Sequence, residues 1–251
     1  MKVVSWNVNS IRVRLEQVLE WIEFNDPDVL GLQEIKCIND DFPINEFESL
    51  GYYCYVNGQK TYNGVALISK KPIDYVFMDL ERFDDNQKRV IAGIIDDQII
   101  WNIYVPNGNS VGSDKYQYKL AWLQALKENI SASLNKTNKQ IVMGDFNIAP
   151  EDADVHDPKA WKDKILCSQP EREALKEICS LGFNDSFRFM HPELVQYSWW
   201  DYRVAGYRRN LGLRIDLMLC TDLIKLKKAY IDEAPRNLER PSDHAPVIIE
   251  F

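Results

Sequence analysis

Short apolar runs, each closed by a polar residue, Gly or Pro, recur along the chain, and between some of them the apolar period lengthens to three or four. Residues 2–8 and 29–34 are two such runs, and between them Val13, Val18, Leu19 and Ile22 stand at roughly helical spacing over 13–24. A β–α–β opening is predicted, its second strand entered through Pro27, which can follow a helix end without disturbing it. Further β-rich runs at 64–68, 76–80, 90–95 and 99–105 are parted by Lys70-Lys71-Pro72, a polar 82–89 stretch and Asp96-Asp97, and predict an antiparallel meander. Residues 116–134 carry Leu120, Leu123, Leu126 and Ile130 on one face, which predicts the longest helix, leading directly into the apolar run 140–143. Another helix is predicted over 170–181, stopped at Gly182, followed by strands at 215–220, 225–231 and 246–251. There is no internal repeat, low-complexity tract or linker rich in Gly, Ser or Pro, so 1–251 reads as one domain. Mixed strands with helices before and between them predict an α/β fold: a four-layered sandwich of two packed mixed β-sheets flanked by helices.

The polar residues that close these runs carry the candidate chemistry. After 140–143 comes Gly144-Asp145-Phe146-Asn147 and then Ile148-Ala149-Pro150, a strand that stops abruptly and leaves its next residues at a sheet edge. There Asp145, an ionised acceptor, stands two residues from the amide of Asn147, a pair suited to a water and a phosphate oxygen. An Asx turn closing the strand is the other reading. Comparable groups close the other strands: Asn7 and Asn9, Glu34, Tyr104 with Asn107, Asp216, and Asp243-His244. Glu34 is a hard oxygen ligand of the kind that holds Mg²⁺ together with waters and a substrate phosphate, or else it caps a turn or pairs with Lys36. His156 and His191, beside Asp or Pro in loop-like stretches, read as structural.

Composition narrows the partners. The chain has 251 residues, of which 45% are hydrophobic and 27% charged, an ordinary water-soluble balance, and no apolar run approaches the ~20 residues that span a bilayer. The first run turns polar at Asn7, too early for a signal peptide, so a cytoplasmic location is expected. Five widely spaced cysteines, with no two-residue spacing, are expected to be reduced and mostly buried. A net charge of −8 argues against indiscriminate coating of nucleic acid but leaves room for a local basic face. Arg203, Arg208, Arg209 and Arg214, interleaved with Tyr202 and Tyr207, form either a phosphate-gripping loop or a solvated one. Arg12, Arg14 and Lys36 lie near the other motifs, and Tyr62 and Arg89 are further candidates.

Seven stretches then stand in one order: Ser5-Trp6-Asn7-Val8-Asn9, Leu32-Gln33-Glu34-Ile35-Lys36, Tyr104-Val105-Pro106-Asn107, Gly144-Asp145-Phe146-Asn147-Ile148-Ala149-Pro150, Ser198-Trp199-Trp200-Asp201-Tyr202-Arg203, Leu213-Arg214-Ile215-Asp216 and Ser242-Asp243-His244-Ala245-Pro246. This ordered set resembles the endonuclease/exonuclease/phosphatase superfamily, and within it the exonuclease III-like branch of apurinic/apyrimidinic DNA-repair endonucleases, over essentially the whole chain. The resemblance implies Mg²⁺-dependent hydrolysis of duplex DNA 5′ to an abasic site, with 3′-to-5′ exonuclease and 3′-end-trimming activity, in base excision repair. It implies a metal, replaceable by Mn²⁺, on Glu34 with Asp243 and Asn7, and a catalytic set of Tyr104, Asp145, Asn147, Asp216 and His244. It further implies that Asp216 orients the His244 imidazole. At Asn9 some relatives carry a second acid. Substrate contacts are implied for Arg12, Lys36, Asn107, Trp199, Arg203 and Leu213, with Trp199 packing on a baseless sugar and Leu213 as the facing wall.

The implied partner is double-stranded DNA with abasic sites or blocked 3′ ends, met by a monomer in a bacterial-type cytoplasm at the nucleoid, with no membrane. Relatives acting on inositol phosphates or sphingomyelin usually carry another histidine where this chain has Tyr104-Val105-Pro106-Asn107. A catalytically dead DNA-binding module would have lost some of its carboxylates, and here none is missing.

Overall fold

The β-branched run at the N-terminus becomes β1 (Lys2–Asn7), and the amphipathic segment after it becomes α1 (Ile11–Asn25), in a computed structural model that describes residues 1–223 and 225–251. Next come β2 (Val29–Gln33), α2 (Ile44–Ser49), β3 (Tyr53–Asn57), β4 (Val65–Ser69), β5 (Asp74–Met78), β6 (Val90–Ile95) and β7 (Gln98–Tyr104). The long helix α3 (Asp114–Leu134) leads into β8 (Gln140–Asp145), and α4 (Pro158–Trp161), α5 (Gln169–Cys179), β9 (Asn184–Asp185) and α6 (Ser186–Met190) follow. The chain closes with β10 (Trp199–Trp200), β11 (Gly212–Leu213), β12 (Asp216–Cys220), β13 (Lys228–Ile231) and β14 (Val247–Glu250).

One six-stranded sheet runs β13-β14-β1-β2-β4-β3, the other β5-β6-β7-β8-β12-β9, and β10-β11 form a small ribbon. Each large sheet is mixed: β1 pairs in parallel with β2 and β7 with β8, while their other neighbours are antiparallel. Val3, Val29, Leu67, Ile100, Ile141, Met143, Met218 and Ile249 pack between the sheets. The opposite faces carry separate cores. Val4, Trp6, Leu30 and Leu32 pack against Val18, Trp21 and Ile22 of α1, and Trp101, Ile103, Val142 and Leu217 pack against Trp122, Leu126, Leu175 and Ile178 of α3 and α5. These layers are the four-layered sandwich expected from the sequence.

The predicted meander is corrected in one member. β4 belongs to the first sheet, between β2 and β3, and only β5, β6 and β7 form the antiparallel run, because Lys70-Lys71-Pro72 carries the chain from one sheet to the other. α2, β3 and the β10-β11 ribbon are further elements not anticipated from the pattern. No helix among the described residues is long and apolar enough to cross a membrane.

The pleat decides where the polar strand ends point, since alternate residues of a strand face opposite sides. On β1, Val3 lies between the sheets, so Asn7 faces inward as well; on β8, Ile141 and Met143 do the same for Asp145, and on β12, Met218 does so for Asp216. Register places Tyr104 beside Asp145, and Asp145 beside Asp216. One end of the inter-sheet core is therefore polar.

Candidate active site

Asp145 is the centre of this polar end and is 1% exposed. Its Oδ1 accepts the backbone N–H of Asn147 at 2.9 Å, and its Oδ2 accepts Asn7 Nδ2 at 2.9 Å. The chain reaches this point through Gly144 at φ 151°, where a Cβ would stand 1.9 Å from the Ile103 carbonyl oxygen; β8 can lie this close to β7 only with glycine before the aspartate. Asn7 also donates to Glu34 Oε1 at 2.9 Å, so one amide ties the carboxylates of the two sheets together. Two carboxylates require a donor from Asn7, and its Oδ1 is occupied by the N–H of Asn9 at 3.0 Å. Asn7, expected among the metal ligands, is thus a bridge between the acids.

His244 is 4% exposed, with Nδ1 2.9 Å from Asp216 Oδ2 and Nε2 3.8 Å from Asp145 Oδ2. Ser198 locks the aspartate: its hydroxyl donates to Asp216 Oδ2 at 2.6 Å and accepts the N–H groups of Ile215 and Asp216 at 3.0 Å each. Burial works against the imidazolium, but Asp216, Asp145 and Asp243 outweigh it and raise the His244 pKa. Burial raises the Asp145 carboxyl, with Asp216 and Glu34 adding to the rise against the pull of His244 and the Asn147 N–H. Tyr104, half-buried under the guanidinium of Arg89 at 4.6 Å, is held well above the ordinary phenol range by burial and then by Glu34 and Asp145. Asn147 sits at φ 49°, donates its side-chain amide to the Val105 carbonyl at 3.0 Å, and accepts from Asn107 Nδ2 at 3.1 Å.

Glu34, Asp145 and His244 offer ligand atoms within 4.8 Å of one another, the candidate acid/histidine metal cluster among the described residues. Asp243, expected in the metal set with Glu34, is engaged by other groups: its oxygens accept Asn9 Nδ2 at 2.8 Å and Trp199 Nε1 at 2.9 Å. Glu34 Oε2 lies 2.9 Å from Lys36 Nζ, which also donates to Asn9 Oδ1, so the lysine occupies the rim of the carboxylate cluster.

The substrate-contact residues separate into those at the site and those away from it. Trp199 is half-buried with its ring 6.5 Å from that of His244, whereas Trp200, facing the other way, is 0% exposed in the inter-sheet core. Leu213 pairs with Trp199 across the ribbon but is 0% exposed, in the cluster of Val155, Leu166 and Ile215 against which Trp199 packs, so it does not face a pocket. Arg214 does not belong to a phosphate-gripping loop either: it is buried against Asp154 at 2.7 Å and Asp185 at 2.8 Å. Arg203 is exposed and pairs with Asp201 at 2.5 Å, and Arg12 is exposed and pairs with Asp41. Arg14 spends its guanidinium on the Asn9 carbonyl and on Tyr202 and Pro241. His156 and His191 bond backbone carbonyls outside the site, as structural histidines do. The roles of Ser198, of Asn9 as partner of Asp243, and of Lys119 behind Asn147 were not read from the sequence.

Residues 4–244 match the Endonuclease/Exonuclease/phosphatase family. The chain is 35% identical to exodeoxyribonuclease III of Haemophilus influenzae, covering 100% of both chains. Among solved structures it is similar to the 3′–5′ exonuclease NExo from Neisseria meningitidis, with 45% identity, TM-score 0.98, and coverage of 100% of this chain and 99% of that one. The Neisseria 3′ phosphatase NExo bound to a product DNA hairpin gives 44% identity and a TM-score of 0.98 over 100% of this chain and 99% of that one. An AP endonuclease from Archaeoglobus fulgidus gives 38% and 0.96 over the same shares.

Proposed function

Because the chain belongs to the Endonuclease/Exonuclease/phosphatase family, we propose that it is a Mg²⁺-dependent DNA-repair nuclease that cleaves duplex DNA 5′ to abasic sites and trims blocked 3′ ends. It would work as a monomer in base excision repair, in the cytoplasm at the nucleoid. The observation that carries this reading is Asp145 held by Asn7 and Asn147 with His244 Nε2 at 3.8 Å, a separation that one water or phosphate oxygen can bridge. Similarity to a 3′ phosphatase at 44% identity and to an AP endonuclease at 38% supports both activities on this single site.

The chemistry proposed is in-line attack of water on a phosphodiester. Asp145 accepts the proton of that water, and its raised pKa makes it a better base than an ordinary aspartate while Asn7 and Asn147 fix its two oxygens. His244, kept protonated by Asp216, presents Nε2–H to the charge developing on a phosphoryl oxygen. Tyr104 and Asn107 face the same phosphate, the tyrosine as a neutral donor because its pKa is pushed up. Glu34, a half-buried carboxylate with hard oxygen donors, fits a divalent cation held by few protein ligands plus water and substrate. When bound there, Mg²⁺ or Mn²⁺ supplies Lewis-acid polarisation of the phosphate and offsets charge on the leaving oxygen.

The test uses an end-labelled duplex with one abasic analogue, an intact duplex and a duplex ending in a 3′ phosphate. Incision at the abasic analogue and release of the 3′ phosphate are expected with Mg²⁺ and not in EDTA, and Glu34→Gln should raise the ion concentration required. Undiminished cleavage in EDTA would remove the metal assignment, and preferential hydrolysis of soluble inositol phosphates would remove the substrate assignment.

Trp199 is proposed to sort substrates by size, its face accepting a flipped sugar without a base and excluding a complete nucleotide. Trp199→Ala should lower abasic-site incision far more than thermal stability and narrow the preference over intact duplex. Trp199→Phe keeps the face but loses the bond to Asp243, so it should retain most of the discrimination. Wild-type discrimination in Trp199→Ala with a much lower Tm would make the residue a packing element only.

A further inference from the structure

Lys119 lies in the second turn of α3 at a position of its apolar stripe, with Tyr116, Leu123, Leu126 and Ile130, and is 0% exposed. Its ammonium has three donors and three acceptors. It donates to the Asn147 carbonyl at 2.7 Å, to the Asn107 carbonyl at 3.3 Å, and to Glu171, which is also 0% exposed. Glu171 is saturated in turn: it accepts the N–H of Leu166 at 3.1 Å and the N–H and hydroxyl of Ser168 at 3.0 and 2.6 Å, as the capping box of α5. Taking two ions out of water is costly, and apolar residues of like shape would join α3 to α5 at least as well. What an ammonium adds is N–H groups for two carbonyls on two different loops, one after β7 and one after β8.

Those loops carry the asparagines of the catalytic centre. With its carbonyl on Lys119, Asn147 has every polar group engaged: N–H to Asp145, side-chain N–H to Val105, and side-chain oxygen from Asn107. The left-handed backbone of Asn147, φ 49°, is therefore fixed on the inner side by the base and on the outer side by the lysine. The other loop rests on the same side chain. Gly108, at φ +88°, comes so close that a Cβ would stand 3.1 Å from Lys119 Cδ and 2.9 Å from Ile165 Cδ1.

We propose that Lys119 is a positioning residue for phosphodiester cleavage: from within the helical layer it sets Asn107 and Asn147 against Asp145 and the phosphate, and Glu171 holds it there. The inference rests on the nuclease reading given above.

The test replaces the pair together, Lys119→Met with Glu171→Gln, which keeps the shape and leaves no lone buried charge. Misplacement of reacting groups by about 1 Å costs on the order of 10²-fold, so a kcat loss of that order is expected, with KM for abasic DNA nearly unchanged. In an Asn107→Ala, Asn147→Ala background the same pair of changes should add little, because Lys119 acts through those two asparagines. Lys119→Arg, which restores charged donors, should recover much of the rate. Without DNA, the side-chain amide NMR signals of Asn107 and Asn147 should shift in the double variant while most of the spectrum stays in place. If the double variant does not fold, Lys119→Gln, with two N–H groups for three acceptors, takes its place under the same outcomes. Wild-type kcat, or losses that multiply with those of the Asn107→Ala, Asn147→Ala pair, would overturn the proposal. A wild-type chain that leaves DNA intact would instead overturn the nuclease reading, and the amide spectra would still decide the positioning.

Discussion

Asp145→Asn should lower abasic-site incision by roughly 10³–10⁴-fold, toward the upper end of what general base catalysis supplies, while the protein stays folded. The amide keeps one oxygen for the Asn147 N–H but cannot take a proton from water, and against Asn7 Nδ2 it offers a donor where an acceptor stood. The stability readout separates this from a folding defect. Burial first, and the neighbouring Asp216 and Glu34 next, raise the Asp145 pKa, so the folded chain favours the protonated carboxyl and the ionised form is a burden at neutral pH. For a carboxyl raised in this way, the stability it contributes is present below its unfolded-state pKa and is lost as pH rises through the folded one. In EDTA at neutral pH the variant should therefore melt no lower than wild type, and on acidification through the raised pKa wild type should gain relative to it. Wild-type incision should decline over that same acidic range, as the base is protonated. A variant that loses activity in proportion to a lowered Tm would show Asp145 to be structural.

How much of this was legible in the sequence can be followed along β8. Its apolar run and the Gly144-Asp145 stop were sufficient to place a carboxylate at a strand end, because strand pleat and chain punctuation are local. The inward faces of Asn7, Tyr104 and Asp216 follow the same rule once the strands are known, but that they meet depends on pairing register, which no stretch of one strand contains. β4 was misplaced for that reason: a hydrophobic run of five residues looks alike in either sheet. Arg214 was misread because the sequence around it resembles an exposed basic loop, and Leu213 because the resemblance supplies a pocket wall at its position, whereas the ribbon with β10 and the acids Asp154 and Asp185, distant in sequence, take both inside. Lys119 did leave a signal. A lysine three residues after Tyr116 and four before Leu123 stands on the apolar stripe of a helix, and such a position requires a partner for the charge. The partner, Glu171, lies on another helix, so the identity of the pair came only with the fold.

His244→Asn should reduce incision on the order of 10²–10³-fold, the scale of losing one charged donor to a transition-state oxygen, and Asp216→Asn should reduce it less, in a way that depends on pH. The imidazole is enclosed by carboxylates; burial alone would favour its neutral form, and Asp216 is the strongest of the groups that reverse this. With Asp216 neutral, Ser198 can still hold the side chain and the ring can still be oriented, but the His244 pKa falls. The sign follows: the active imidazolium is lost at a lower pH than in wild type, so Asp216→Asn should be nearly normal in mild acid and lose activity progressively toward alkaline pH. His244→Asn has no imidazole to titrate and should be slow across the range. Because His244 is raised in the folded state, its contribution to stability is present below its unfolded pKa and lost as pH rises through the folded one, and in Asp216→Asn that loss should also begin at lower pH. Rate–pH profiles and melting curves of the two variants, taken on the same preparations, test both halves. An Asp216→Asn enzyme with the wild-type alkaline limb and a sharply lower Tm would mean that Asp216 braces the Ser198 turn and leaves the charge of His244 to others.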